Sequence, residues 1–180
     1  FYRKRKNSTF VVETIICIGT VVIKNLKSLV FTIGLLVGLT SQVHANLIIN
    51  GSFEDIGDSA SLGYGKSSTW QVYTAIPSWD ATQNVEIWNN DFIVPAYDGN
   101  RVLELNAHPG NLNGVFSIYQ EFETTIGQIY ELSFVSRKRQ KNSDEAFNFE
   151  VGDLSESIYN QSWGTWNEYN FQFTALTDQT

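Results

Sequence analysis

Three segments in the second half of the chain alternate strictly between apolar and polar residues, namely residues 130–134 (YELSF), 147–151 (FNFEV) and 169–174 (YNFQFT). Successive side chains of an extended strand point to opposite faces, so each segment presents one aromatic face and one polar face. Strands of this kind belong to antiparallel sheets that are packed on one side only. The pattern therefore predicts an all-β fold built as a two-layer antiparallel β-sandwich.

Short apolar stretches separated by turn residues fill the rest of the chain from residue 46 onwards, without a helical period. The predicted strands cover residues 47–49, 85–88, 102–107, 114–123, 128–138, 146–151, 157–160 and 168–176. Residues 55–69 are rich in Gly, Ser and Asp and predict a long loop. Strands at this spacing are typical of a jelly roll. The sequence ends directly after a strong strand, so we expect the last strand of the sandwich to be missing.

Residues 24–45 show, in the right order, the features of a secretory signal peptide. Two lysines precede an uncharged apolar run at 28–40 (SLVFTIGLLVGLT), and the segment ends on the small residue Ala45. The run is shorter than the about 20 residues of a membrane-spanning helix; a buried core helix is the alternative. We predict export, cleavage after Ala45, and a secreted domain over 46–180, extracellular or on the cell surface, without a stable membrane span.

Residues 1–23 do not fit this scheme. A basic cluster precedes a second apolar stretch at 14–23, and the sequence contains no Met. We interpret residues 1–23 as an upstream segment from a misassigned start, with the true start near Val21 to Lys24. A membrane anchor of two helices is the alternative, although both apolar stretches are short for that role.

The charge of the predicted mature domain is strongly negative. Of the 12 basic and 19 acidic residues, six basic residues but only one acidic residue precede residue 46, which leaves six against 18 and a formal charge of −12. Such a surface repels phosphate backbones, so we expect no nucleic-acid partner, and its carboxylates suit a hard cation. The single cysteine, Cys17, lies in the segment predicted to be removed, which excludes a disulfide in the mature domain.

Residues 46–54 (NLIINGSFE) resemble the opening of galactose-binding-like β-sandwich domains. Further motifs of that group follow in order: IPSW at 76–79, VEIW at 85–88, DGNRVLEL at 98–105, IYQ at 118–120, GQIYELSF at 127–134 and WNEYNFQF at 166–173. The group includes several carbohydrate-binding module families, the plant cell-wall DUF642 proteins and bacterial exported proteins with a PEP-CTERM sorting tail. The resemblance covers nearly all of residues 46–176, and it implies a carbohydrate-binding β-sandwich.

The resemblance also implies a structural Ca²⁺ ion, with Glu54 and Asn50 as its ligands in this chain. In the resembling domains a final strand of the L-D-N-V type supplies an aspartate to that ion, and this sequence ends before such a strand. Calcium takes 6–8 oxygen ligands, which carboxylates and carbonyls provide. The alternative is that Glu54 caps a surface turn.

Binding of a polysaccharide or cell-surface glycan requires exposed aromatic rings that stack on sugar C–H faces, with polar groups nearby for the hydroxyls. The candidates for carbohydrate binding are Trp88, Asn89, Trp70, Tyr97 and Trp163, together with Tyr64. Packing in the core is the competing role for each aromatic ring.

Two other functions compete with sugar binding. Glu86 and Glu104 could form the acid/base pair of a glycoside hydrolase, but the resembling families do not use these glutamates for catalysis. His108 has no second histidine nearby, and no nucleophile, zinc or phosphate-loop motif is present, so we expect that the chain is not an enzyme. A structural or adhesive surface protein without a dedicated sugar site is the alternative. The basic run at 137–141 is a solvated turn or a contact for acidic polysaccharide.

Overall fold

The computed structural model describes residues 14–17, 46–90, 92–108 and 115–180. The predicted signal peptide and most of the predicted upstream segment therefore lie outside the described residues. Every regular element in the described ranges is a β-strand, as the alternation predicted. The strands are β1 (Thr14–Cys17), β2 (Gly65–Lys66), β3 (Trp70–Tyr73), β4 (Asp80–Ala81), β5 (Val85–Asn89), β6 (Arg101–Glu104), β7 (Ile118–Tyr119), β8 (Ile129–Lys138), β9 (Phe147–Val151), β10 (Leu154–Ile158) and β11 (Asn167–Thr174). Nowhere in these ranges is there a helix of the length and apolarity that crossing a membrane requires.

The strands form one large and two small antiparallel sheets. The large sheet has the order β11-β8-β1-β6-β5-β3-β2, while β9 pairs with β10 and β4 with β7. Strand β1 comes from the predicted upstream segment, yet it occupies the middle of the large sheet. Its residue Ile15 is in register with Glu104 on one side and with Arg137 on the other.

The three alternating segments are strands in the structure, and their aromatic faces meet in one core. Strand β8 contributes Phe134, whose ring lies 5.1 Å from Phe149 of β9 and 5.1 Å from Tyr169 of β11. Tyr130 of β8 stacks on Phe173 of β11 at 5.4 Å. This core joins the large sheet to the β9–β10 sheet, which gives the chain a sandwich-like all-β fold. Aromatic pairs of this geometry contribute about 0.5–1.5 kcal/mol each beyond the area they bury.

Several predicted boundaries were wrong. Residues 47–49 are not a strand, because a side chain takes the place of a neighbouring strand: Ile49 donates to Oε1 of Gln120 at 2.8 Å and accepts from its Nε2 at 3.0 Å. Of the strand predicted at 114–123, only Ile118–Tyr119 pairs regularly within the described part. The predicted loop at 55–69 contains β2, which pairs with β3 through backbone groups that its sequence does not reveal.

Strand β5 is buried on both faces of the large sheet. Val85 and Ile87 belong to the aromatic core, whereas Trp88 packs with Val102 and Val135 in a second apolar cluster on the opposite face. We call that opposite face the outer face. Alternation along β5 and β6 places Glu86 and Glu104 on the outer face as well, since they lie two residues from Trp88 and from Val102.

Candidate functional site

Two buried glutamates lie side by side on the outer face. Glu86 of β5 and Glu104 of β6 are directly opposite each other in the strand register, and they are only 5% and 2% exposed. Burial raises the pKa of Glu104 to about 9; the neighbouring charge of Glu86 and a hydrogen bond between the two side chains add to this rise, and the Arg139 guanidinium opposes it. Glu104 therefore carries a proton at neutral pH, because two adjacent carboxylates cannot both ionise in a poorly solvated place.

The carboxyl pair is the centre of a closed polar network. Glu86 accepts a hydrogen bond from Nε1 of Trp88 at 2.6 Å through one oxygen and from the backbone N–H of His108 at 2.7 Å through the other. Glu104 accepts from the Arg139 guanidinium at 2.6 Å, and that guanidinium lies 5.1 Å from the centre of the Trp88 ring. Trp88 is thereby held by a carboxylate at its edge and a cation over its face.

Three rings meet at the surface beside this network, and we call them the ring cluster: Tyr64, Trp70 and His108. The imidazole of His108 lies 5.0 Å from the Tyr64 ring and 5.6 Å from the Trp70 ring, edge-to-face in both cases. Tyr64 and His108 are exposed, and Trp70 is partly buried. Gly65 allows the backbone of β2 to lie close to Trp70. Its φ is +74°, and a Cβ at residue 65 would lie 2.3 Å from the Trp70 carbonyl oxygen.

The structure brings four of the six predicted sugar-binding residues together, since Tyr64 and Trp70 belong to the ring cluster and Trp88 and Asn89 lie beside it. Trp70 and Trp88 are cross-strand partners of β3 and β5, and Asn89 follows directly, donating from its side chain to the Ser67 carbonyl at 2.8 Å. Trp88, however, is only 1% exposed, because Phe92 covers its ring edge-to-face at 5.6 Å and Arg139 lies over it. In this structure Trp88 supports the ring cluster from below and offers no face to a ligand.

The other two predicted residues lie elsewhere and apart from this group. Tyr97 is 44% exposed, and its hydroxyl donates to Glu168 at 2.6 Å while its ring meets the edge of Trp166. Trp163 is 52% exposed and lies beneath the Lys141 ammonium group. Both rings are accessible to a ligand, but neither belongs to the ring cluster.

The basic run at 137–141 is held in place by contacts with its neighbours. Its four cations have partners: Arg137 lies over Trp166 and Lys141 over Trp163, Lys138 donates to the carbonyl of Ser143 at 2.9 Å, and Arg139 pairs with Glu104. Burial lowers the pKa of Arg137, whose Nε has no hydrogen-bond partner among the described residues. Lys141 is the one cation of the run that is exposed rather than partly or fully buried.

The side chains of the predicted calcium ligands, Asn50 and Glu54, form hydrogen bonds with backbone groups. Asn50 donates through Nδ2 to the carbonyls of Asp55 and Pro77, at 2.7 and 3.0 Å, and its Oδ1 accepts the Asp55 N–H. Glu54 accepts the N–H groups of Asn100 and Arg101 through the same oxygen. Within the described ranges no group of three or more His, Cys, Asp or Glu side chains is placed to hold a metal ion. The Asn50 side chain and one Glu54 oxygen are thus used in hydrogen bonds, and the calcium ion stays a prediction.

Taken together, the described residues define an antiparallel, sandwich-like all-β domain with a polar and aromatic outer face. The family model described as "protein of unknown function (DUF642)" matches residues 46–180, so the chain belongs to the DUF642 family. Searches of curated proteins and of solved structures give no match.

Two members of the site, His108 and Arg139, were not predicted from the sequence. A histidine without a second histidine nearby gives no metal or catalytic signal, and Arg139 is one of several cations in a basic run. The alternation of β5 and β6 contains a usable signal, because it places Glu86, Trp88 and Glu104 on one face. Two adjacent buried acids need hydrogen-bond donors, and a nearby arginine is a suitable one.

Proposed function

We propose that the chain is a secreted, non-catalytic polysaccharide-binding protein whose domain is a jelly-roll sandwich of the galactose-binding-like type. The observation that carries this proposal is the ring cluster, in which Tyr64 and His108 expose ring surface beside Trp70. Aromatic faces stack on the C–H faces of pyranose rings. The Arg139 guanidinium, which the carboxyl pair orients, supplies further N–H donors for sugar hydroxyls.

The geometry of the carboxyl pair supports binding over hydrolysis. Glycoside hydrolases keep their two carboxyl groups about 5–5.5 Å apart for retention or about 6.5–9.5 Å apart for inversion. Glu86 and Glu104 are instead in direct hydrogen-bond contact, and both are buried. Both oxygens of Glu86 already accept hydrogen bonds from Trp88 and His108. The pair therefore orients its neighbours and leaves no space for a glycosidic bond.

Retention on insoluble polysaccharides tests the proposal. The protein as isolated from the producing cells is applied to a panel of neutral and acidic polymers, in calcium and in EDTA. We expect retention on at least one polymer, and we expect the double variant Tyr64→Ala/Trp70→Ala to bind at least about tenfold more weakly, a loss of about 1.4 kcal/mol. Tyr159→Ala is the matched control, because Tyr159 is also exposed but lies outside the cluster.

Each alternative has its own outcome in this experiment. No retention by folded protein on any polymer would support a structural or adhesive surface role instead. Reducing sugar released over time would identify a hydrolase. Retention that EDTA abolishes would support the structural calcium ion. For the proposed export, N-terminal sequencing of the secreted protein should begin at Asn46.

A further inference from the structure

A surface cleft lies apart from the ring cluster, between the segment at residue 49, the tight turn at 76–79 and the small β4–β7 sheet. Its volume is about 450 Å³. It is lined by Ile49, Ile76, Ser78, Trp79, Asp80, Tyr119, Gln120 and Glu121. This volume falls within the range of about 300–1,000 Å³ that is typical of small-ligand sites.

The walls of the cleft are fixed to one another. The Gln120 side chain donates to the carbonyls of Ile49 and Ser78, at 3.0 and 3.1 Å, and accepts the Ile49 N–H at 2.8 Å. Trp79 donates through Nε1 to the Asn50 carbonyl at 3.0 Å. Ser78 has a φ of +67°, a conformation that glycine favours at this position of a tight turn. The cleft is therefore preformed, which lowers the conformational entropy that the protein must lose when a ligand binds.

The lining combines acceptors with an aromatic ring and carries no cation. Asp80 and Glu121 are both exposed carboxylates, and Tyr119, the strand partner of Asp80, is 50% exposed. Neither Lys, Arg nor His is among the described residues that line the cleft. Carboxylates and an aromatic ring both attract an ammonium group. The exposed side chain of Ile49 adds apolar surface for the carbon frame of the ligand.

We propose that this cleft binds a hexosamine unit that carries a free ammonium group, as in a deacetylated amino-sugar polymer. The ammonium group lies between the carboxylates of Asp80 and Glu121, and the sugar ring packs against Tyr119. The proposal rests on the proposed function only in taking a carbohydrate as ligand, because its residues are separate from the ring cluster. It gives the chain a second binding site with a different preference in charge.

The test is a titration followed by NMR chemical shifts, with glucosamine oligomers and with N-acetylglucosamine oligomers of equal length, at slightly acidic pH. The two probes share a carbon frame and differ in the charge on nitrogen. We expect the glucosamine oligomer to bind at least about tenfold more tightly than the acetylated one, and added salt to weaken it. Equal affinity for the two probes, or no binding of either, would overturn the proposal.

Variants locate the binding. Asp80→Asn/Glu121→Gln should weaken glucosamine binding at least about tenfold, because it removes both carboxylates and retains the side-chain shapes. The control Asp144→Asn/Glu156→Gln removes the same charge from exposed positions outside the cleft and should leave binding unchanged. An equal loss of glucosamine binding in both double variants would show that the net charge alone attracts the probe, and it would contradict the proposed site.

The outcomes for the two sites are distinguishable. Tyr64→Ala/Trp70→Ala should leave glucosamine binding intact. If neutral polymers are not retained but the glucosamine oligomer binds through Asp80 and Glu121, the proposal for the ring cluster is wrong and the proposal for the cleft is supported. Retention through the ring cluster with no response to glucosamine gives the reverse result.

Discussion

Glu86 and Glu104 face each other across neighbouring antiparallel strands and share a hydrogen bond, although both carboxyl groups are buried. Such a pair is stable only while one member keeps its proton, because two ions at this distance repel strongly in a poorly solvated interior. The relationship therefore links the stability of the large sheet to pH.

The first prediction concerns this pH dependence. The folded state raises the pKa of Glu104 from its usual 4.5 to about 9, so the folded protein holds one proton more than the unfolded chain between these values. The stabilisation is complete below pH 4.5 and is lost as the pH rises towards 9, by about 1.4 kcal/mol per pH unit in between. Glu104→Gln imitates the protonated form, so its free energy of unfolding should be less dependent on pH over this range. Urea unfolding measured at a series of pH values checks this.

Glu86→Gln is the matched control for Glu104→Gln. Both oxygens of Glu86 accept hydrogen bonds, from Trp88 and His108, so an amide NH₂ in place of one oxygen sets a donor against a donor. We expect Glu86→Gln to lose about 1–3 kcal/mol of stability at neutral pH. If the two variants behave alike, or if the slope with pH is the same in Glu104→Gln and in the natural protein, the assignment of the proton to Glu104 is wrong.

The second prediction separates support from contact at the ring cluster. Trp88→Ala should destabilise the fold by about 3–5 kcal/mol, because a fully buried indole leaves a cavity. Tyr64→Ala should change stability by no more than about 0.5 kcal/mol, since Tyr64 is exposed. Denaturant unfolding measures both. A stable Trp88→Ala that loses only ligand binding would instead show that Trp88 is a contact residue.

The third prediction tests how Gly65 shapes the ring cluster. A Cβ at residue 65 would lie 2.3 Å from the Trp70 carbonyl and 2.6 Å from its ring, so Gly65→Ala must displace Trp70. Gly63→Ala is an internal control, because Gly63 also has a positive φ but nothing in the described part of the chain lies within 4 Å of its added Cβ. We expect backbone strain of about 1–3 kcal/mol in both variants. Only Gly65→Ala should lose more stability than this strain accounts for. It should also shift the tryptophan fluorescence and weaken polysaccharide retention. Equal effects in both variants would contradict the close approach.

The fourth prediction concerns Asn50, which joins two loops. Asn50→Ala removes three hydrogen bonds to Asp55 and Pro77, which together contribute about 2–4 kcal/mol. Asn50→Gly removes the same bonds but suits the φ of +52° better, so it should lose about 0.5–1 kcal/mol less. Thermal unfolding in calcium and in EDTA measures both variants. A loss that occurs only in calcium would assign Asn50 to the metal site instead.

The sequence predicted the all-β class and the longest strands, because large aromatic residues at every second position share one face only in an extended strand. Strand β8 begins at Ile129, one residue from its predicted start, and ends at the predicted Lys138. The short strands were harder to predict. The pairing of β2 depends on backbone groups of Gly65–Lys66. The backbone N–H of Ile49 donates its hydrogen bond to a side chain 71 residues away instead of to a neighbouring strand.

The candidate site was predicted less well than the fold, since exposure is a tertiary property. Trp88 and Trp70 are both tryptophans on neighbouring strands, but the loop that contains Phe92 covers only Trp88. Nothing in the local sequence distinguishes a covered ring from an open one. The carboxyl pair was visible as two glutamates on strands, but their direct contact depends on the register of β5 and β6.

Because β1 lies in the middle of the large sheet, cleavage of the chain would turn a single folded polypeptide into a complex of two. Residues 18–45 are the covalent connection between Cys17 and the rest of the described chain, and the predicted cleavage after Ala45 falls at the end of that connection. A cut there turns β1 from a strand into a peptide ligand of β6 and β8. Its pairing, which the intact chain supports at a high effective concentration, then weakens on dilution. Once the peptide dissociates, β6 and β8 each present unpaired backbone groups in the middle of the sheet, where another strand can bind.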